Sequence, residues 1–103
     1  MQSNVDADYS NTVFYKISCK DAANRDVYIG YTTNLVRRKT AHKQGCNNPK
    51  SADYKLKVHD VMRHYGGWDN WQFDIIAFHE CIDQSDAIIK EKEYIVSYNA
   101  TLN

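Results

Sequence analysis

Two short segments rich in β-branched and aromatic residues lie near the start of the chain and constrain its fold most. They are TVFYKISC from Thr12 and VYIGY from Val27, and the polar stretch KDAANRD separates them. Residues of these types favour strands, and a short polar connection favours antiparallel pairing of the two neighbours. The segments therefore predict a β-hairpin. A third segment, WQFDIIAFHE from Trp71, predicts another strand that is largely buried.

Capping residues and apolar periodicity predict two helices after the hairpin. Asn34 is a suitable N-cap and Gly45 a suitable terminator for the first helix, because NLVRRKTAHKQG contains strong helix formers and no proline. The second helix is expected to begin near Ser51 and to end at Gly66 and Gly67. One helical stripe in this segment is apolar and consists of Tyr54, Val58, Val61, Met62 and Tyr65.

A third helix is expected after the third strand, with Ser85 as its N-cap. The predicted order is ββααβα, without an internal repeat. This order predicts an α/β chain of the α+β type, in which three helices flank a small, mainly antiparallel, three-stranded sheet.

The length of 103 residues suits one domain. Its polar start, MQSNVDADYS, has no periodicity and predicts a flexible leader over residues 1–11, which leaves residues 12–103 as the folded domain. Three widely spaced cysteines do not suit a disulfide framework, and no apolar segment resembles a signal peptide or a membrane span. We therefore expect a soluble, intracellular protein.

Charge is balanced over the chain but not along it. There are 13 basic and 13 acidic residues in total. Between Thr32 and His64, eight basic residues stand against two acidic ones, whereas from Asp69 to Glu93 seven acidic residues stand against two lysines. This asymmetry is compatible with a basic face that follows a phosphate backbone, and equally with two ordinary solvated helices.

A carboxylate interrupts the apolar stripe of the third helix. At 100° per residue, Glu91 lies about 40° from both Ala87 and Ile95 and should face inward. A buried carboxylate requires a cation, a hydrogen-bond network or a raised pKa. A structural ion pair with an arginine is the alternative explanation. The other members of the stripe are Ile88, Tyr94 and Tyr98.

The first helix has a similar anomaly. Arg38 and His42 are spaced i and i+4 and share a face with the core-facing Leu35. Singly, each is more often a partly buried residue with an ordinary structural role. Together with Glu91 they predict a polar cleft, to which Tyr15 and Tyr28 of the hairpin would be close.

A family resemblance rests first on the segment YIGYTTNLVRRKTAH. It resembles the second motif of the GIY-YIG nucleases, with the tripeptide Tyr28, Ile29 and Gly30, then Arg38 eight positions after the glycine and His42 one turn later.

Other motifs of the family match in part. The first motif should read Gly-Ile-Tyr, and the residues here are Val13, Phe14 and Tyr15, so that only the tyrosine is retained. Glu91 is similar in placement to the family's helical glutamate, and Asn103 to its closing asparagine. The resemblance covers the whole predicted domain, and the stretch GGWDNWQFDII is similar to small stand-alone members from phages and large DNA viruses.

The resemblance implies a metal-dependent endonuclease that hydrolyses phosphodiester bonds of DNA. Glu91 would hold the divalent cation, Mg²⁺ with Mn²⁺ as a substitute, because Mg²⁺ retains much of its hydration and needs few protein ligands. Arg38 would stabilise the transition state, and Tyr15 would be the general base. Tyr28 would bind the phosphate or the water, and Asn103 would steady the glutamate or the hairpin.

The general base needs assistance, because the ordinary pKa of tyrosine is about 10. Arg38, His42 or the metal–phosphate assembly would have to lower that pKa or relay the proton.

DNA is the partner that the resemblance implies, together with a homodimer or a separate DNA-recognition protein. The basic side chains expected to contact the DNA backbone are Arg37, Lys39, Lys43, Lys55, Lys57 and Arg63.

Two other functions are compatible with parts of the sequence. A catalytically inactive DNA-binding module of the same fold would explain the altered Val13 and Phe14. A zinc-stabilised interaction domain would use cysteines and histidines such as His42, Cys46 and His59, although the chain has no Cys-x-x-Cys pair.

Overall fold

The predicted element order is confirmed by a computed structural model that describes residues 8–103. The elements are the strands β1 (Thr12–Cys19), β2 (Val27–Thr32) and β3 (Trp71–His79) and the helices α1 (Leu35–Asn47), α2 (Lys57–His64) and α3 (Gln84–Ser97). Of the expected leader, residues 1–7 lie outside the described residues, and Tyr9–Asn11 form a 3-10 turn. Among residues 8–103, no helix has the length and apolar character needed to cross a bilayer.

The sheet is antiparallel throughout, and β1 is its central strand, in the order β2-β1-β3. Tyr15 of β1 pairs with Gly30 of β2 and with Ile75 of β3. The pairing between β1 and β3 shifts by one residue at Phe14 and Tyr15, which leaves Ile76 as the extra residue of a bulge. Five of the first six residues of β1 are buried, because strands flank both of its edges and residues of the helices pack on its side chains.

Side chains alternate along β1 and divide the core into two clusters. Tyr15 and Ile17 pack with residues of α1 and α2, whereas Phe14 packs with Cys81 and with Ala87 of α3. Helices α1 and α2 therefore cover one part of the sheet, and α3 covers another.

Strand β3 is not largely buried, so that part of the prediction was wrong. Only Trp71 is buried within it, and Phe78 is 70% exposed. An apolar run predicts a strand but not its position in the sheet, and β3 lies at an edge.

Gly45 does not end α1, which corrects the predicted terminus. The helix continues to Asn47 with Gly45 buried inside it, while the N-cap is Asn34 as predicted, its side chain accepting the Arg37 backbone N–H at 3.1 Å. A Cβ atom at position 45 would lie 2.5 Å from Nδ1 of His59. Gly45 therefore serves the close approach of α1 and α2 rather than a helix end.

The second helix begins at Lys57, six residues after the predicted Ser51. The Asp53 carbonyl oxygen accepts from the Leu56 backbone N–H at 3.1 Å and from the His59 ring at 2.6 Å. In a helix, the Asp53 carbonyl oxygen would instead accept from the backbone N–H of Lys57. Because it accepts from Leu56 and His59, residues 51–56 form turns. The predicted end is confirmed, because Gly66 takes a φ of +97° just after the helix.

Helix α3 begins two residues earlier than Ser85 would place it. Its N-cap is Asp83, whose carboxylate accepts from the Asp86 backbone N–H at 2.9 Å. A carboxylate is at least as good an N-cap as a hydroxyl, and the sequence offered both.

Replacing Gly45 with alanine tests the close approach of α1 and α2. In an open helix the change from glycine to alanine stabilises by about 1 kcal/mol. Here the added methyl group overlaps the His59 ring, so we expect Gly45→Ala to lower the free energy of unfolding by roughly 1–3 kcal/mol in urea denaturation. The exposed helical control Thr40→Ala should not be destabilised; equal stability of Gly45→Ala and wild type would contradict the proposed crowding.

Candidate active site

The hairpin and α1 bring two tyrosines and a histidine together. Tyr15 on β1 is fully buried and stacks on Phe73 with ring centroids 4.5 Å apart. The rings of Tyr28 and His42 lie edge to face at 5.4 Å. The Tyr15 ring crosses directly over Gly30, because a Cβ atom there would lie 2.5 Å from Cζ of Tyr15. The glycine of the tripeptide is thus required by the tyrosine on the neighbouring strand.

A buried chain of hydrogen bonds begins at the Tyr15 hydroxyl. This hydroxyl lies 2.8 Å from Nε2 of His42, and Nδ1 of His42 lies 2.9 Å from Nε2 of His59. Nδ1 of His59 is 2.6 Å from the backbone carbonyl oxygen of Asp53. Four segments of the chain therefore meet through one line of polar contacts: β1, α1, α2 and the turn before α2.

Burial changes the protonation of these groups. The pKa of Tyr15 is raised, first by burial and then by the neighbouring Tyr28, while Arg38 opposes the rise. Burial also raises the pKa of Tyr28. The pKa of His42 is lowered to about 3 by burial and by the neighbouring His59 and Arg38. His42 is therefore neutral at physiological pH.

A cleft of about 540 Å³ opens between α1 and α3 over β2. Side chains that line it include Tyr28, Arg37, Arg38 and Glu91. The cleft is open to solvent on its polar side, since Arg37 and Arg38 are exposed. It is large enough for a phosphate group and several water molecules.

Glu91 is half-buried on α3 and faces this cleft, in line with the inward orientation expected from helical periodicity. The pKa of Glu91 is raised by burial, and the positive charges of Arg38 and Lys92 oppose the rise. Three ion pairs occur among residues 8–103, and none of them includes Glu91. The alternative of a structural ion pair with an arginine therefore receives no support.

Asn103 lies beside β2 rather than in the cleft. Its amide oxygen accepts from the Ile29 backbone N–H at 2.9 Å, and its amide nitrogen donates to the Ile29 carbonyl oxygen at 2.6 Å. These two hydrogen bonds to Ile29 are of the kind that a neighbouring strand would form with β2. It supports a role in steadying the hairpin between Tyr28 and Gly30.

The predicted DNA-contacting side chains fall into two groups. Arg63 donates to three carbonyl oxygens, those of Gly45, Cys46 and Tyr54, and Lys57 donates to the carbonyl oxygen of Thr101 at 3.0 Å. Both side chains have structural partners. Lys57 is nevertheless exposed, as are the other four, Arg37, Lys39, Lys43 and Lys55, and Nζ of Lys39 lies 5.7 Å from the centroid of the Phe73 ring.

The sequence gives no signal for the place of His59 in the buried hydrogen-bond chain with His42. The sequence suggests His59 only as a zinc ligand, because its neighbours in the sequence give no sign of a contact with His42. Over residues 8–103, no three His, Cys, Asp or Glu side chains are grouped so as to hold a metal ion. The ligand cluster that a zinc-stabilised domain needs is therefore not found in this part of the chain.

Comparison with known proteins gives one match, which covers nearly the whole domain. The family model of the GIY-YIG catalytic domain matches residues 11–103. Searches of curated proteins and of solved structures returned no match.

The lowered pKa of His42 predicts a pH-dependent stability. The ordinary pKa is 6.5 and the pKa in the fold is about 3, so the unfolded chain binds more protons below about pH 6.5 and stability is lost as the pH falls toward about 3. The free energy of unfolding should drop by about 2 kcal/mol between about pH 7.5 and about pH 5 because of this group.

Urea denaturation across this range checks the expectation. The variant His42→Asn should be less stable but should lose most of the pH dependence. His64→Asn changes an exposed histidine and should retain the wild-type slope. The same slope in His42→Asn and wild type would contradict the assignment.

Proposed function

Because the chain belongs to the GIY-YIG family, we propose that it is a metal-dependent endonuclease that hydrolyses phosphodiester bonds of DNA. The observation that supports this most is a cleft lined by residues of β2, α1 and α3, with Tyr15 of β1 buried behind it. Tyr28 and Arg38 line it together with Glu91, and Tyr15 lies directly behind them with its hydroxyl on His42. A base, an arginine and a carboxylate around a solvent-open cleft are the groups that phosphodiester hydrolysis requires.

Tyr15 is proposed as the general base, with His42 as the acceptor of its proton. The Tyr15 O–H bond breaks as the N–H bond forms at Nε2 of His42, over the 2.8 Å contact. The phenolate then takes a proton from the attacking water, whose oxygen forms the new bond to phosphorus as the bond to the 3′ oxygen breaks. Burial raises the pKa of Tyr15 and lowers that of His42, so this transfer is unfavourable in the free protein and needs Arg38 and the bound phosphate and cation to lower the pKa of Tyr15.

Arg38 is proposed to stabilise the added negative charge on the phosphate. Its guanidinium lies on α1 at the cleft, near both tyrosines, and offers several N–H donors in a fixed plane. Tyr28 is proposed to bind the phosphate or the water from the opposite wall.

Glu91 is proposed to hold the divalent cation. The fit is chemical: a carboxylate oxygen suits Mg²⁺ or Mn²⁺, and this carboxylate faces the cleft without an ion-pair partner within residues 8–103. When bound, the cation supplies positive charge that offsets the charge developing on the leaving 3′ oxygen.

The altered first motif does not enter the cleft. Val13 and Phe14 belong to the core, and Phe14 packs toward α3 with Cys81 and Ala87. Only the tyrosine of this motif lies in the hydrogen-bond chain. This favours an active enzyme over a catalytically inactive DNA-binding module.

The DNA backbone is proposed to run along the exposed basic side chains beside the cleft, those of Arg37, Lys39, Lys43 and Lys55. One cleft cuts one strand. A homodimer or a separate DNA-recognition partner would provide a second cut or target selection.

Replacing Glu91 tests the metal-dependent step. Purified protein should nick plasmid or branched DNA with Mg²⁺ or Mn²⁺ and should stop when a chelator is added. Glu91→Gln should lower kcat by at least about 100-fold and still bind DNA in a gel-shift assay. Glu93→Gln changes an exposed carboxylate on the same helix and should cut like wild type. No cleavage of any of these substrates by wild type would remove the enzyme proposal.

Tyr15→Phe removes the proposed base together with its hydrogen bond to His42, so its stability is measured beside its activity. The ring remains available to stack on Phe73, so the variant should fold while its kcat falls by roughly 100-fold or more. Tyr65→Phe, at an exposed tyrosine, is the control. Wild-type turnover by Tyr15→Phe would show that another group activates the water.

A further inference from the structure

The buried chain of hydrogen bonds that begins at Tyr15 ends at a group that can only accept a hydrogen bond. The Asp53 carbonyl oxygen has no proton to donate, so Nδ1 of His59 must be the donor in the 2.6 Å contact. A neutral imidazole has one N–H, and therefore Nε2 of His59 is an acceptor. Nδ1 of His42, 2.9 Å away, must then donate to it.

The same reasoning fixes the first contact of the chain. With its single proton on Nδ1, neutral His42 presents a lone pair at Nε2 to the Tyr15 hydroxyl. The hydroxyl must donate, which is the direction in which its proton has to leave. Neutrality of His42 agrees with its pKa of about 3.

A proton added to His59 would reverse the direction of these hydrogen bonds. Both of its nitrogens would donate, Nδ1 of His42 would have to accept, and Nε2 of His42 would carry the proton that faces Tyr15. His59 is 1% exposed, and none of the ion pairs among residues 8–103 includes it.

The packing around His59 holds this arrangement. Gly45 lets α1 pass directly over the ring, and Arg63 of α2 donates to the carbonyl oxygens of Gly45 and Cys46. The two helices that position His42 and His59 are thus tied together beside the ring.

We infer that His59 is a positioning residue of this site: through the Asp53 carbonyl oxygen it sets the tautomer of His42, so that Nε2 faces Tyr15 as a proton acceptor. The inference rests on the proposed nuclease function for its catalytic meaning. Its hydrogen-bond direction is independent of that function.

Nuclear magnetic resonance of ¹⁵N-labelled histidine tests the direction without an activity assay. In the wild-type protein at neutral pH, His42 should be protonated at Nδ1 and unprotonated at Nε2. The opposite pattern, or a protonated His59, would overturn the inference. This measurement needs no variant and therefore does not depend on the folding of one.

Variants of His59 test the effect on turnover. His59→Leu removes the acceptor, so the His42 proton should redistribute to Nε2, and kcat should fall by at least about 10-fold while KM for DNA stays unchanged. His59→Gln offers an amide oxygen to Nδ1 of His42 and should restore part of both properties. His64→Gln, at an exposed histidine of the same helix, should match wild type.

The two proposals fail separately. An inactive wild-type protein with the expected His42 tautomer would remove the nuclease proposal and leave the hydrogen-bond direction supported. An active wild type whose kcat and His42 tautomer are unchanged in His59→Leu would remove the role of His59 and leave the nuclease proposal standing.

Discussion

The Tyr15–His42 hydrogen bond is the contact on which the rest of the structure depends, because it joins the central strand to the helices that cover it. Both partners are buried, so each would cost roughly 1–3 kcal/mol if its polar group lost its partner. The contact continues through His59 to the Asp53 carbonyl oxygen, and the turn before α2 is shaped by that last acceptor. A chain of hydrogen bonds through an apolar core has few alternative arrangements. This one fixes the positions of β1, α1 and α2 relative to one another.

Two glycines make room for the rings of this hydrogen-bond chain. Gly30 lies under the Tyr15 ring, and Gly45 lies against the His59 ring, each at a distance that no side chain would allow. Both sit inside regular elements, where glycine has an entropic cost relative to alanine of roughly 0.5–1 kcal/mol. That loss is offset by the satisfied polar groups. Glu91 and Arg38 line the cleft beside this chain of hydrogen bonds.

Local patterns in the sequence were sufficient for the elements and their order. β-Branched and aromatic residues identified the hairpin, and Asn34 identified the start of α1, since each signal acts within a few residues. Two of the errors concern packing or hydrogen bonds that local composition does not show. Gly45 has the composition of a helix end but is a packing position, and α2 starts late because His59 binds the Asp53 carbonyl oxygen.

The candidate site divides in the same way. By itself the sequence determined that Glu91 faces inward, and that Arg38 and His42 share a helix face, because 100° per residue is a local property of a helix. Only the tertiary structure decided which atoms meet. The contact of His42 with both Tyr15 and His59 joins residues 27 and 17 positions apart, and the close approach of α1 and α2 that permits it has no local signal in either helix.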